Sequence, residues 1–156
     1  SLGSEGLVRA ALEAAETFEN GEPVVTFLFL GERPEAVQPS NVRFVGRQWD
    51  MNPFYSLCDA LICRGGGSTL AEALRWGLPA VVIPWEGAAE GHQERNARCF
   101  EEAGGGIVWR ESGGEPLDVP LRKVLARGRK PFASDEAKSA CSKLWAMLSL
   151  QIKGFG

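Results

Sequence analysis

The sequence predicts an α/β domain, a parallel sheet with helices on both faces, and two observations carry that prediction. Short apolar runs rich in β-branched and aromatic residues alternate with helically periodic stretches along the chain. Strands of that kind are buried on both faces, as in parallel sheets whose crossovers are helices. The third apolar run passes without a break into Arg64-Gly65-Gly66-Gly67-Ser68-Thr69, a glycine-rich turn from strand to helix of the kind that Rossmann-like sheets place at the ends of their strands.

The elements follow in order. Leu7, Val8, Ala11, Leu12, Ala15 and Phe18 recur at helical spacing, and Asn20-Gly21 supplies a stop. Residues 23–30 form a continuous apolar run ended by Gly31 and read as a buried strand. Strands are then expected at 42–45, 60–63, 80–83 and 106–109, with helices at 51–57, 68–76 and 92–103 between them. Two more helices, at 117–126 and 134–152, complete the prediction. A doubly wound sheet normally opens with a strand, whereas this chain opens with a loop, so the first strand of the pattern is expected to be lacking.

Composition narrows the function classes. The 156 residues are 44% hydrophobic and 24% charged, enough for one domain with a true core, and no linker or repeat suggests a second. The longest apolar stretches, 24–30 and 80–85, fall far short of the roughly 18 residues of a membrane span, so a soluble protein is expected. The first six residues lack the basic start and apolar centre of a signal peptide. Cys58, Cys63, Cys99 and Cys141 show no C-x-x-C spacing and suit reduced structural thiols in a cytosolic protein. A net charge of −3 argues against general nucleic-acid binding. Residues 122–153 nevertheless hold eight Lys or Arg, at 122, 123, 127, 129, 130, 138, 143 and 153, against Asp135 and Glu136. That tail reads either as a solvated helical face or as a surface for an anionic partner or membrane.

The chemistry centres on the glycine turn. Three glycines permit positive φ and close approach of a ligand to the backbone, and a helix start offers N–H groups and partial positive charge to a phosphate. Thr69-Leu70-Ala71-Glu72 reads equally as a capping box and as a ribose-binding carboxylate placed one turn into a helix. The run ending at Pro84 leads through Trp85 and a loop over residues 86–91 to His92-Gln93, where a second helix start can present donors to sugar hydroxyls or a phosphate. A lone histidine is more often structural than catalytic. Asp50 and Asp59 are isolated carboxylates whose expected role is capping or solvation. No D-x-D, H-E-x-x-H, Walker or G-x-S-x-G motif occurs, and a single histidine builds no triad, which excludes hydrolase and P-loop readings.

An ordered series of motifs covers most of the chain: residues 63–79 from Cys63 to Pro79, then Val82-Ile83-Pro84-Trp85, His92-Gln93-x-x-Asn96-Ala97 and Glu101-Glu102-Ala103-Gly104. It resembles the carboxy-terminal, donor-binding domain of the MurG-type UDP-N-acetylglucosamine transferases, glycosyltransferase family 28, whose GT-B fold has two domains. The resemblance implies a donor domain spanning residues 1–156 with the acceptor domain absent from this chain. It also implies that the full enzyme transfers N-acetylglucosamine from UDP-GlcNAc to lipid I in peptidoglycan synthesis.

The resemblance further implies inversion by direct displacement, no required metal or cofactor, and a general base on the missing domain. No catalytic residue is therefore assigned here, and the isolated chain is expected to be inactive. By position, Ser1 lies near the diphosphate, Arg64, Gly66, Gly67, Ser68 and Thr69 form the phosphate and ribose cradle, and Glu72 binds ribose hydroxyls. His92 and Gln93 face the sugar. Gln48 follows the uracil-contacting segment after Phe44-Val45-Gly46, where Arg47-Gln48-Trp49 departs from the usual family sequence. The partners implied are the UDP-sugar and an acceptor domain, with a cytoplasmic location and peripheral membrane association left open for the full enzyme. Two alternatives stand beside this reading: a separately encoded donor subunit that needs a partner, and a nucleotide-sugar-binding module without turnover.

Overall fold

Helices and strands alternate in the expected order across residues 2–33, 38–85 and 91–130, which the computed structural model describes. Ser1, residues 86–90 of the loop before His92, Cys141 and the expected helix at 134–152 lie outside the described residues. The elements are α1 (Leu2–Phe18), β1 (Phe27–Phe29), β2 (Val42–Phe44), α2 (Asn52–Leu57), β3 (Leu61–Cys63), α3 (Gly67–Arg75), β4 (Ala80–Val82), α4 (His92–Glu102), β5 (Gly106–Val108) and α5 (Asp118–Arg127). A single 3-10 turn, Glu111–Gly113, lies between β5 and α5.

All pairings among the described residues are parallel, in two sheets. β1 pairs with β2, and β4 lies between β3 and β5. Bonds beyond the core strands extend both sheets, such as Val45 N–H to the Phe29 carbonyl and Ile83 N–H to the Cys63 carbonyl. In the strand order of a doubly wound sheet, β1 and β3 would flank the position of a strand preceding α1. No ladder joins them among the described residues.

The central strand shows how the layers form. Side chains of a strand alternate between faces, so Val81 and Ile83 enter one apolar cluster while Ala80 and Val82 enter another. The first cluster holds the alanine-rich face of α1 (Ala10, Ala11, Ala14, Ala15, Phe18) together with Leu121 and Val124 of α5 and Phe27 and Val42 of the two-stranded sheet. The second holds Leu70, Ala71, Ala73 and Leu74 of α3 with Ala97 and Phe100 of α4. α1 and α5 therefore cover one face, and α3 and α4 the other.

Helix α1 starts earlier than its periodicity predicts. The sequence is expected to open with a loop, yet Leu2, Gly3 and Ser4 belong to the first turn of α1. Four buried alanines, the best helix formers, stabilise the helix downstream. Gly6 lies where the helix backbone passes against Glu111: a Cβ there would come within 2.7 Å of a carboxylate oxygen.

The cations of the tail that fall among the described residues are not a bare solvated face. Arg122 stacks over the Phe18 ring at 4.0 Å and pairs with Asp118 at 3.6 Å. Arg127 donates to the Gly106 carbonyl at 3.3 Å, and Lys123 lies 3.8 Å from Glu115. Arg129 donates to the carbonyls of Ser56 (2.9 Å), Cys58 (3.2 Å) and Trp76 (3.1 Å). These are carbonyls at the C-terminal ends of α2 and α3, which a helix leaves without intrahelical donors and which carry partial negative charge. Lys130 does the same for α4, its Nζ donating to the Gly104 carbonyl at 3.0 Å, while its own N–H bonds the Gly77 carbonyl at 2.9 Å. Gly77 is required there, with φ +60 and a Cβ position only 1.8 Å from the Lys130 carbonyl oxygen. Two consecutive cations thus fasten three helices at one end, and the helices' other ends face the opposite pole of the sheet.

Candidate functional site

The glycine turn leaves β3 at Cys63, and α3 begins at Gly67 with Gly66 as its cap. The first helical bond at this end runs from Leu70 N–H to the Gly66 carbonyl at 3.1 Å. The N–H groups of Gly67, Ser68 and Thr69 precede it at the open end of the helix, where donors and the positive end of the dipole favour an anion. No side chain caps this end. The capping box is therefore not formed: Thr69 is the third residue of the helix and not its cap, so Glu72 has no Thr69 cap to complete.

The glycines serve close approach and not an unusual dihedral. None of Gly65, Gly66 and Gly67 has positive φ, so of the two freedoms that glycine permits, the dihedral one is not used. Gly66 is extended, at φ −70 and ψ 127, a conformation open to any residue. Gly65 is different, because a Cβ there would lie 2.3 Å from the Gln93 carbonyl oxygen. The backbone of the turn thus rests directly on the first turn of α4. Asn96, the one polar side chain buried among the described residues, donates from Nδ2 to the Gly65 carbonyl at 3.1 Å and holds the two segments together.

Arg64 is drawn to the other side of the turn. Its Nη1 donates to the Ile83 carbonyl at 3.2 Å and pairs with Glu111 at 3.3 Å. Glu111 in turn lies against Gly6 near the start of α1. The beginnings of α1, α3 and α4 are in this way gathered around Arg64-Gly65, beyond the carboxyl end of β3, where open α/β sheets bind ligands.

The other sequence candidates take distinct places. His92 opens α4 behind Gly91, whose φ of +61 turns the chain into the helix. Gln93 Oε1 accepts from the Trp85 N–H at 3.0 Å, and its NH₂ is the donor end of the carboxamide. Glu72 is exposed on α3 and accepts at Oε2 from the Tyr55 hydroxyl at 2.7 Å. Gln48 folds onto its own turn, donating to the Val45 carbonyl at 3.0 Å; no described contact brings it to the glycine turn. Ser1 lies outside the described residues. Asp50, one residue ahead of the Met51 cap of α2, accepts from the backbone N–H and side chain of Asn52 at 3.0 and 2.9 Å, a local turn and not a helix cap.

Electrostatics around α4 are set by ion pairs. Burial raises the Glu94 carboxyl, but hydrogen bonds and charge from Arg110 and Arg98 outweigh it and hold the group below its ordinary value. Burial pushes the Cys63 thiol, just ahead of the turn, up to about 12, which keeps it neutral. Among the described residues no three His, Cys, Asp or Glu side chains cluster as a metal site, and no helix is long and apolar enough to cross a membrane. A surface groove of about 590 Å³ lies at the β2 edge, lined by residues including Arg33, Gln38 and Arg43 and none of the glycine turn.

Sequence reasoning missed Tyr55, Glu111 and the clamp role of Asn96. The signal for Asn96 is a polar residue on the buried face of an amphipathic helix; for Tyr55 and Glu111 no local signal exists, since both act through contacts distant in sequence.

The family model for the glycosyltransferase family 28 C-terminal domain matches residues 1–147. A "UDP-N-acetylglucosamine--N-acetylmuramyl-(pentapeptide) pyrophosphoryl-undecaprenol N-acetylglucosamine transferase" of Thermotoga petrophila is 40% identical over 81 residues, 51% of this chain and 24% of that protein. Transferases of the same name from Anaeromyxobacter sp. (strain K) and Thermosipho melanesiensis are 34% identical over 110 residues and 33% over 125. These matches cover 61% and 80% of this chain, and 29% and 35% of the respective relatives. The chain thus spans about a quarter to a third of the length of these relatives. Matched by the family model over nearly all of its residues, it belongs to the glycosyltransferase family 28 C-terminal domain family.

Proposed function

We propose that this chain is the donor-binding domain of an inverting N-acetylglucosaminyltransferase that uses UDP-N-acetylglucosamine and delivers the sugar to lipid I in peptidoglycan synthesis. The observation that carries this reading is the gathering of the α3 and α4 N-termini at Gly65, which aims backbone donors from two helices at one place. A diphosphate placed there receives the N–H groups of Gly67, Ser68 and Thr69 and the two hydroxyls. Glu72, further along α3, meets the ribose hydroxyls. His92 and the Gln93 NH₂ face the sugar, and the segment around Gln48 meets the uracil. The name the relatives share, with its UDP-N-acetylglucosamine and undecaprenol-linked partners, supports the same assignment.

In this mechanism an acceptor hydroxyl attacks the anomeric carbon as the bond from that carbon to the β-phosphate oxygen breaks. The electron pair leaves with UDP, and the helix-end donors stabilise the charge that develops on the phosphate. The base that takes the acceptor proton belongs to an amino-terminal acceptor domain. The full enzyme works at the cytoplasmic face of the membrane, where its lipid-linked acceptor lies.

Calorimetric titration with UDP, UDP-GlcNAc and UDP-GalNAc tests the proposal. UDP and UDP-GlcNAc should bind and UDP-GalNAc should bind more weakly; a folded chain that binds no UDP refutes the reading. Transfer of N-acetylglucosamine by the isolated chain should be absent, and robust turnover would refute the placement of the base on another domain.

A further inference from the structure

Glu72 is an exposed side chain on α3, yet it is not left to its rotamers. Tyr55, on the short helix α2, is buried to 3% exposure with its hydroxyl 2.7 Å from Glu72 Oε2. The ring is fixed by packing, so the hydroxyl is a stationary donor. α2 and α3 are also fixed to each other at their far ends, because the single guanidinium of Arg129 bonds the carbonyls of Ser56, Cys58 and Trp76. The distance from the phenol to the carboxylate is thus set by the fold.

We infer that Tyr55 is a positioning residue that orients the Glu72 carboxylate toward the ribose diol of the nucleotide. This rests on the proposed placement of ribose at Glu72. A carboxylate has about four acceptor positions. Tyr55 occupies one on Oε2 and leaves Oε1 and the second position on Oε2, so two adjacent hydroxyls find two oxygens in a fixed plane. Without that bond, ordering the long side chain costs the ligand rotamer entropy. Burial first, and then the hydrogen bond and charge of Glu72, raise the phenol well above its ordinary range. Tyr55 therefore remains protonated, and a donor, at neutral pH.

The test compares Tyr55→Phe, Glu72→Ala and the double variant in binding UDP and its 2′,3′-dideoxy analogue. Tyr55→Phe keeps the buried ring and should lower UDP affinity about 5-fold, the scale of one net hydrogen bond, while leaving the dideoxy affinity unchanged. In the Glu72→Ala background the same change should have no effect. Equal losses for both ligands would show a structural role and overturn the inference, as would no loss with UDP while Glu72→Ala weakens it. If folded Glu72→Ala binds UDP as the parent does, the ribose placement itself fails and the inference falls with it; that outcome is told apart because it needs no Tyr55 variant.

Discussion

Replacing Gly65 by alanine separates the two things a glycine contributes. The new Cβ would lie 2.3 Å from the Gln93 carbonyl oxygen, where ordinary contact begins near 3.4 Å. The obstacle is backbone, so no rotamer change relieves it, and the turn and the start of α4 must part by about 1 Å. Overpacking of this kind costs about 2 kcal/mol, which in a domain of this size lowers Tm by about 4–8 °C. The same displacement stretches the Asn96 to Gly65 hydrogen bond beyond its 3.1 Å and draws apart the α3 start proposed to hold the diphosphate and the α4 start proposed to meet the sugar. UDP affinity should fall at least about tenfold, or 1.4 kcal/mol. Gly66→Ala is the matched control, since its Cβ would meet only Thr69 Oγ1, at 3.9 Å, in a backbone conformation open to alanine. It should leave Tm unchanged or raise it slightly by restricting the unfolded chain. Thermal unfolding and UDP titration on both variants decide the matter. If Gly65→Ala unfolds with the parent and binds UDP as well, the close-approach argument is wrong.

Two further outcomes follow from the same geometry. Arg129→Met removes three charge-assisted bonds to helix-end carbonyls; these carbonyls then turn to water, so the loss should be about 2 kcal/mol. Arg129→Lys should recover only part of it, since one ammonium cannot span three acceptors, and denaturant titration measures both. The Glu94 carboxyl is held below its ordinary value of 4.5 by Arg110 and Arg98 against the upward push of burial. Its contribution is therefore complete above the unfolded value and is lost as pH falls through the lower folded one. The Tm difference between the parent and Arg110→Gln should shrink as pH drops from about 6 to about 3, and a difference that grew on acidification would refute the pairing.

The strands were readable because each is an apolar run closed by glycine, proline or a polar turn, and that information is local. Residues 42–45, 60–63, 80–83 and 106–109 each contain the strand observed, with only the final residue or the flanks outside it. The site was legible to the extent that it too is local: a strand, a glycine turn and a helix start. The reason for the glycines was not. Gly65 is constrained by Gln93, which only the fold brings near, and counting glycines does not tell a dihedral freedom from a close approach. Thr69 and Glu72 fit a capping box by spacing, but the helix begins at Gly67, two residues before the supposed cap, and Glu72 bonds Tyr55 instead. Arg129 and Lys130 looked like surface charge because their acceptors are main-chain carbonyls, which no sequence pattern marks. The start of α1 was read as a loop since Gly3, Ser4 and Gly6 hide the helical period that Ala10 to Phe18 displays.

Fastening three helices through residues 129 and 130 has an evolutionary consequence. The bonds that secure α2, α3 and α4 are made at the ends away from the glycine turn, so mutational drift in the connections at the turn's pole leaves the fastening untouched. Ligand preference at the proposed site and foldability are then free to diverge under separate selection. An exchange of residues 84–93 for the corresponding stretch of a relative should change what is bound before it changes whether the chain folds.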